Sequence, residues 1–140
     1  MLHLLESLES RTLMSTAPVS ATVAADLVKL TADRAQFHTD VAAGHATLVI
    51  DHELISDARK ADLTALVDDR KALAKDHGNA TALAADMLKL TSDAAKYVSD
   101  MTSLHDKLAA DFLHWKTNVH NDVLTVHADV LKLAGDRQAA

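Results

Sequence analysis

The sequence predicts an all-α fold, in which two long helices form an antiparallel coiled-coil hairpin. Three observations predict it. Aspartates recur at spacings of whole helical turns, and a 60-residue segment that carries them occurs twice. The single proline lies before the first copy, and the Gly78-Asn79 pair lies at the junction of the two copies. Glycine and proline together make up only four residues and aromatic residues 3%, a composition that disfavours a β fold.

The internal duplication maps residues 21–80 onto 81–140, with 18 identities in 60 aligned pairs. Seven aspartates of the first copy each recur 60 positions later: Asp26, Asp33, Asp40, Asp51, Asp62, Asp69 and Asp76 match Asp86, Asp93, Asp100, Asp111, Asp122, Asp129 and Asp136. Their spacing of 7-7-11-11-7-7 corresponds to about 3.57 residues per turn, between the heptad and straight-helix values. One uninterrupted helix therefore places all seven in a single row.

Helix-capping residues set the expected boundaries. Ser20 or Thr22, after Pro18, can cap the first helix, and Gly78 followed by Asn79 or Thr81 marks a stop and a new start. We expect two helices of about 55 residues, each on the order of 80 Å long, joined by a tight turn near residues 77–81. Residues that face each other across this hairpin should have numbers that sum to about 158. The chain then divides into an arm, residues 1–19, and a helical domain, residues 20–140.

An alternative architecture stays open at this point. Bends near Gly44 and Ser103 would give a monomeric four-helix bundle. A straight two-helix hairpin has only one seam to bury, so we expect it to dimerise into a four-helix bundle and therefore to be a homo-oligomer.

The apolar seam is predicted at the first and fourth residues after each aspartate. The residues expected to carry assembly are Leu27, Leu30, Phe37, Leu63, Leu66, Tyr97, Phe112, Trp115, Val126 and Leu133. Polar residues interrupt the seam of the first copy, and Arg34, His52 and Arg70 are expected to set register and partner number. The aspartate row is interpreted as a solvated flank, with lysines such as Lys29 pairing with the aspartate four residues later. A straight row does not converge as a calcium site requires.

Composition and motifs disfavour several functional classes. The net charge of −6 makes nucleic acid an improbable partner, and no apolar run is long enough to span a membrane. Cysteine is absent, which removes thiol chemistry. No phosphate loop, nucleophile elbow or assembled Ser-His-Asp set is present, so an enzyme is not expected and no cofactor is required.

The sequence contains nine histidines, which suggests that some of them could bind a metal ion or haem. In the predicted hairpin His52 lies level with His105, and His38 with His120, so two cross-helix pairs could meet. Imidazole binds zinc, copper and haem iron, and the alternative function is therefore a metal- or haem-binding helical bundle. The His-x-x-x-His and Glu-x-x-His spacings typical of bundle sites do not occur. Protonation of His45, His52 and His105 is also expected to loosen the assembly below about pH 6.

The arm carries a short motif. Leu8-Glu9-Ser10-Arg11-Thr12-Leu13-Met14-Ser15 resembles the L-E-x-R-x-L-x-S segment of planctomycete-type secreted and surface proteins, and Ala17-Pro18 follows as in that group. The usual basic stretch upstream is not present. The resemblance implies a sorting or export role and an extracellular or cell-envelope location. The same arm, with Leu2, Leu4, Leu5, Leu8 and Leu13, could instead pack on the end of the bundle as an amphipathic cap.

The expected function is therefore structural. The chain reads as a non-enzymatic, self-assembling α-helical module, such as a spacer, stalk or fibre-forming unit of a bacterial cell envelope. A surface for another envelope protein is a further expectation, for which the residues name no partner.

Overall fold

A computed structural model describes residues 20–139, and within that range the chain forms two helices and no strand. Helix α1 comprises Ala21–Lys75 (55 residues) and helix α2 comprises Ala80–Ala139 (60 residues). The two helices pack against each other as a helical hairpin, which confirms the predicted fold class. The arm, residues 1–19, with its sorting-like motif and its proposed capping leucines, lies outside the described residues.

Both helices continue through the positions where bends were considered. Gly44 lies inside α1 and Ser103 inside α2, with helical structure on either side. The alternative of four shorter helices is therefore wrong. The backbone hydrogen bonds of a helix are satisfied locally, so one glycine in α1 weakens the helix without ending it.

Of the two candidates for each helix cap, the structure uses Ser20 and Asn79. The backbone N–H of Val23 donates to Ser20 Oγ at 3.2 Å, and the N–H of Ala82 donates to Asn79 Oδ1 at 3.2 Å. Each side chain satisfies one of the N–H groups that a helix start leaves without an intrahelical partner.

The connection between the helices comprises residues 76–79. The N–H of Asn79 donates to the carbonyl oxygen of Asp76 at 2.9 Å, which closes the turn. Among the described residues no glycine and no other residue has a positive φ. Gly78, three residues after the end of α1, therefore does not have the left-handed conformation that glycine C-caps commonly adopt.

The described chain contains two compact units. We call residues 20–37 with 121–139 the terminal unit, and His38–His120 the turn unit. A small apolar core of Val23, Leu30 and Leu133, with Val126 packed against it, lies in the terminal unit. In the turn unit the only buried residues are aspartates: Asp51, Asp62 and Asp69.

The buried side of each helix is rotated from the predicted one. The aspartate itself and the fourth residue after it face the partner helix, as Asp26 with Leu30 and Asp129 with Leu133 show. These two positions are only about 40° apart around a helix, whereas the first residue after the aspartate lies about 100° away. Of the predicted seam, Leu30 and Leu133 are buried, Phe37, Leu66, Tyr97, Trp115 and Val126 are half-buried, and Leu27, Leu63 and Phe112 are exposed.

The predicted register-setting residues do not lie in the seam between α1 and α2. Arg34, His52 and Arg70 are all exposed, because each directly follows an aspartate of the row and shares the outward rotation. The polar residues that occupy the seam are aspartates. A register role for the two arginines and His52 would have to operate between molecules, where it stays a prediction.

Candidate functional site

The most regular polar feature of the molecule is a set of five lysine-centred clusters, which we call triads. In each triad a lysine binds the aspartate four residues later on its own helix and a second aspartate on the facing helix. The five are Lys29 with Asp33 and Asp129, Lys89 with Asp93 and Asp69, Lys96 with Asp100 and Asp62, Lys107 with Asp111 and Asp51, and Lys132 with Asp136 and Asp26. The Lys29 and Lys132 triads belong to the terminal unit, and the other three to the turn unit.

The contacts within a triad are direct. Lys132 Nζ lies 2.6 Å from Asp26 Oδ1 and 2.7 Å from Asp136 Oδ2, and Lys96 Nζ lies 2.8 Å from Asp62 Oδ1 and 2.5 Å from Asp100 Oδ2. Such charge-assisted hydrogen bonds are stronger than neutral ones.

The cross-helix pairs confirm the predicted register within each unit. The residue numbers of every lysine and its cross-helix aspartate add to 158, as for Lys29 with Asp129 and Lys107 with Asp51. The helices are therefore antiparallel in both units, with the facing residues that a turn near residue 79 requires.

Burial is uneven within a triad. The cross-helix aspartates are buried, and Asp51 and Asp69 are only 2% and 4% exposed. The lysine side chains are at least half exposed. The aspartates on the same helix as the lysine are intermediate in exposure. The interpretation of the aspartate row as a solvated flank is therefore wrong for these residues. The methylene stem of a lysine can cover apolar surface while its ammonium group remains in contact with water. The triad lysine therefore shields the buried carboxylate from solvent.

Electrostatics within the triads shift both kinds of group. The pKa of Lys29 is raised by hydrogen bonds to Asp129 and then to Asp33, and the pKa of Lys107 by those to Asp111 and then to Asp51. The pKa values of Lys89, Lys96 and Lys132 are raised in the same way, by hydrogen bonds to both aspartates of their triads. The hydrogen bond from the lysine is the main cause that lowers the pKa of the same-helix aspartates Asp33, Asp93, Asp111 and Asp136. Opposite charge and hydrogen bonding favour the charged forms.

Four of the buried aspartates have one oxygen without a hydrogen-bond donor. In Asp26, Asp51, Asp62 and Asp69 the lysine binds Oδ1, whereas Oδ2 is buried and has no partner. The fifth differs, because both oxygens of Asp129 accept from Lys29 Nζ, at 2.6 and 2.8 Å. A buried carboxylate oxygen without a donor is costly and calls for an explanation.

Exposed apolar side chains form the second candidate surface. Among the described residues sixteen large hydrophobic side chains are exposed, against three that are buried. Thirteen of the sixteen stand one, two or five positions after an aspartate of the row: Leu27, Val28, Leu63, Val67, Met87, Leu88, Val98, Phe112, Leu113, Val123, Leu124, Val130 and Leu131. These positions lie about 100–200° around the helix from the aspartate, whereas most triad lysines lie about 60° in the other direction. Eight of the thirteen stand one or five positions after an aspartate, and we call the surface formed by these two positions the outer apolar face.

This face carries no acid. No aspartate or glutamate occupies a position one or five after a row aspartate in either helix, but five histidines do: His38, His45, His52, His105 and His127. The charged residues of this face are therefore all cationic when its histidines are neutral, namely Arg34, Arg70, Lys116 and Arg137.

The predicted histidine pairs are placed as follows. His52 and His105 line one groove of the turn unit, with a volume of about 480 Å³ and with Leu48, Leu108 and Phe112 around it. His38 and His120 are exposed. Within residues 20–139 no three histidine, cysteine or acidic side chains are grouped so that they could hold a metal ion.

A tryptophan packs on the one glycine inside α1. The Trp115 indole lies directly against Gly44, and a Cβ atom there would overlap the ring. Trp115 also contacts the Phe112 ring, with centroids 5.9 Å apart. The pyrrole nitrogen Nε1 of Trp115 is buried without a partner, beside a cavity of about 220 Å³ lined by Asp40, Thr47, Asp111, His114 and Asn118.

Neither described helix has a stretch apolar enough to cross a membrane. Comparison with known protein families, with curated proteins and with solved structures finds no match to this chain.

Proposed function

We propose that this chain is a structural α-helical module that associates with further copies of itself and serves as a spacer, stalk or fibre-forming unit. The observation that carries the proposal is the imbalance between sixteen exposed and three buried large hydrophobic side chains. A small domain with so little buried apolar surface gains most from a partner that covers the rest.

Eight of the sixteen exposed side chains lie on the outer apolar face. Phe112 is 49% exposed and Val123 48%, and each directly follows an aspartate of the row. The half that such a side chain already buries lies against its own hairpin. The other half is available to a second molecule, and full burial of one side chain is worth about 1.5–3 kcal/mol.

The chemistry of the face supports a second copy as the partner. The face holds no carboxylate, so two such faces meet without buried negative charge, which would be costly. Closed homo-oligomers most often use one patch on both subunits, and the exposed apolar side chains of this face can meet those of a second copy.

Sedimentation of the full chain over a wide range of concentration tests the proposal. We expect a concentration-dependent dimer or larger species, and a double variant Phe112→Gln and Val123→Gln should weaken association at least tenfold, which corresponds to about 1.4 kcal/mol. The matched control replaces Asp106 and Asn121, two exposed polar residues of the same helix, with glutamine and should leave association unchanged. A wild-type chain that stays monomeric at the highest concentration contradicts the proposal.

The histidines make the association sensitive to pH. Protonation would place positive charge on His52 and His105, which share a groove with Phe112, and on three further histidines of the face. Because histidine changes charge between pH 5 and 8, we expect the oligomer to dissociate as the pH falls from 8 to 5. Oligomer mass that is the same at both values counts against this arrangement.

We further propose a cell-envelope location, which is supported by the resemblance of the arm's motif to a sorting segment. Replacing Leu8, Arg11 and Leu13 with alanine in the producing bacterium should leave the protein inside the cell, whereas the same change at three arm residues outside the motif should not. Fractionation of cells that produce each variant separates the two outcomes.

A further inference from the structure

Two histidines of the outer apolar face come from different helices and share one groove of the turn unit. His52 lies on α1 and His105 on α2, and the other residues that line the groove are leucine, alanine and phenylalanine. Both histidines are exposed, and exposed side chains change rotamer freely, so both rings can turn toward a ligand in the groove. The groove therefore combines two imidazole groups with an otherwise apolar wall.

The register of the hairpin holds these two histidines level with each other. His52 directly follows Asp51, and His105 is two residues before Lys107, which binds Asp51 across the seam. The numbers of Asp51 and Lys107 add to 158 and those of the two histidines to 157, so the histidines are offset by about one residue, or about 1.5 Å, along the helices. Helical bundles build metal sites from side chains on facing helices in this way.

The chemistry of the face favours a late first-row transition metal. The outer apolar face of the two helices has no aspartate, glutamate or cysteine, so imidazole is its strongest metal ligand. Neutral imidazole suits zinc, copper and nickel, whereas calcium and magnesium require oxygen ligands. Asp51, beside His52, is buried and bound by Lys107 on the opposite side of the seam.

One chain supplies only half of a coordination shell. Within residues 20–139 no three histidine, cysteine or acidic side chains are grouped so that they could hold a metal ion. Zinc in structural sites takes four nitrogen or sulfur ligands in a tetrahedron. Two further ligands therefore have to come from outside the chain.

A second copy of the chain supplies the same two histidines. When two hairpins pack face to face about a two-fold axis parallel to their helices, every residue stays level with its own copy, and α1 of one chain faces α2 of the other. His52 then faces His105 of the second copy, and His105 faces His52. The nearest charged residues of the face are distant in sequence: Lys116 is eleven residues from His105, and Arg34 and Arg70 are eighteen residues from His52.

We propose that His52 and His105 form half of a four-histidine site for zinc or a related late transition-metal ion, and that the same pair of a second copy completes it. The inference rests on the proposed self-association and adds a metal ion to that interface. The ion binds through neutral imidazole nitrogens and links the two chains beside Phe112. Because the metal binds only the associated form with four ligands, metal binding and association strengthen each other.

Zinc titration of the untagged full chain, first stripped of metal with a chelator, tests the proposal by sedimentation and native mass spectrometry. We expect one zinc ion per two chains and association at least about tenfold tighter with zinc than without it. His52→Gln and His105→Gln should each abolish this effect. The matched controls His38→Gln and His120→Gln, at two exposed histidines outside the groove, should leave it unchanged.

Zinc that binds without tightening association overturns the proposal, as does an equal loss in the control variants and in His52→Gln. The four-histidine site is also wrong if His45→Gln abolishes the zinc effect as fully as His52→Gln does. A chain that associates without metal and does not respond to zinc keeps the proposed function and refutes the metal site, whereas a chain that is monomeric under both conditions refutes both. Dimers that form only with zinc, and are lost in His52→Gln, support the site and show that the apolar contacts alone do not hold the interface.

Discussion

At Gly44 the absence of a side chain is what allows the Trp115 indole to lie against α1. In the repeat the equivalent residue is Leu104, so the duplication does not require glycine there. The steric requirement comes from the facing tryptophan, and a ring packed on backbone leaves no room for a methyl group.

We expect Gly44→Ala to destabilise the hairpin by about 1 kcal/mol. Overpacking against the ring costs about 1–3 kcal/mol, and the gain in helix propensity offsets about 1 kcal/mol of that. Gly135→Ala is the matched control, since a Cβ atom there meets nothing, and it should stabilise by about 0.5–1 kcal/mol. Urea unfolding monitored by circular dichroism measures both, and equal stabilisation by the two changes would contradict the packing argument.

The lysine and the buried aspartate of a triad should respond differently to replacement. Lys107→Met leaves the carboxyl groups of Asp51 and Asp111 side by side without a cation, so the thermal midpoint should fall clearly. Asp51→Leu removes the buried acid, while Lys107 keeps Asp111 and its contact with water. Replacing a buried charge with an apolar side chain is often neutral or stabilising, so the change should stay within about 1 kcal/mol of the wild type.

Thermal unfolding of the two variants side by side measures this asymmetry. A midpoint for Asp51→Leu at or below that of Lys107→Met would show that the ion pair itself, and not the relief of buried negative charge, stabilises the seam.

At the scale of the element, the connection of residues 76–79 relies on capping. Asn79 accepts from the Ala82 N–H, whereas Gly78 has neither a left-handed backbone nor a neighbour within reach of a Cβ atom. We expect Asn79→Ala to cost about 1 kcal/mol and Gly78→Ala to stabilise by about 0.5 kcal/mol, through the unfolded chain. Denaturant unfolding checks both, and a larger loss at Gly78 than at Asn79 would show that the turn needs the glycine.

Helix boundaries, caps and register could be predicted because they depend on local rules and on the repeat. The rotation of the buried face could not be obtained from the rule that apolar residues face inward. That rule assigned Leu27, Leu63 and Phe112 to the seam, but the partner helix contributes lysines that make buried aspartates tolerable. The buried aspartates could have been found by combining the predicted register with the positions of the lysines, because in that register every triad lysine faces an aspartate. The predicted pairing of Lys29 with Asp33 gave only half of a triad.

For the whole molecule, the triads define a range of pH in which the hairpin is most stable. The pKa of Asp33, Asp93, Asp111 and Asp136 is lowered by the lysines, so their contribution is present above about pH 4 and is lost as the pH falls through their folded-state values. The pKa of the lysines is raised, so their contribution is complete below about pH 10 and is lost as the pH rises further.

Thermal midpoints measured from pH 2 to pH 12 should therefore fall at both ends. High salt should reduce the difference between the plateau and the ends, because the lysines are largely exposed and exposed charges are screened. A midpoint that stays constant through pH 4 and pH 10 would contradict a stabilising role of the triads.

The duplication gives the two helices the same aspartate spacing, and the connection between them has no left-handed residue. Every Lys–Asp contact that α1 makes with α2 could equally be made with the α2 of a neighbour, so chains that open at residues 76–79 can trade helices without losing a single pair. Refolding at high concentration should then yield mixed dimers from two differently labelled chains, and mass spectrometry would detect them. A seam of repeated charged pairs fixes which residues meet while leaving open which molecule supplies them.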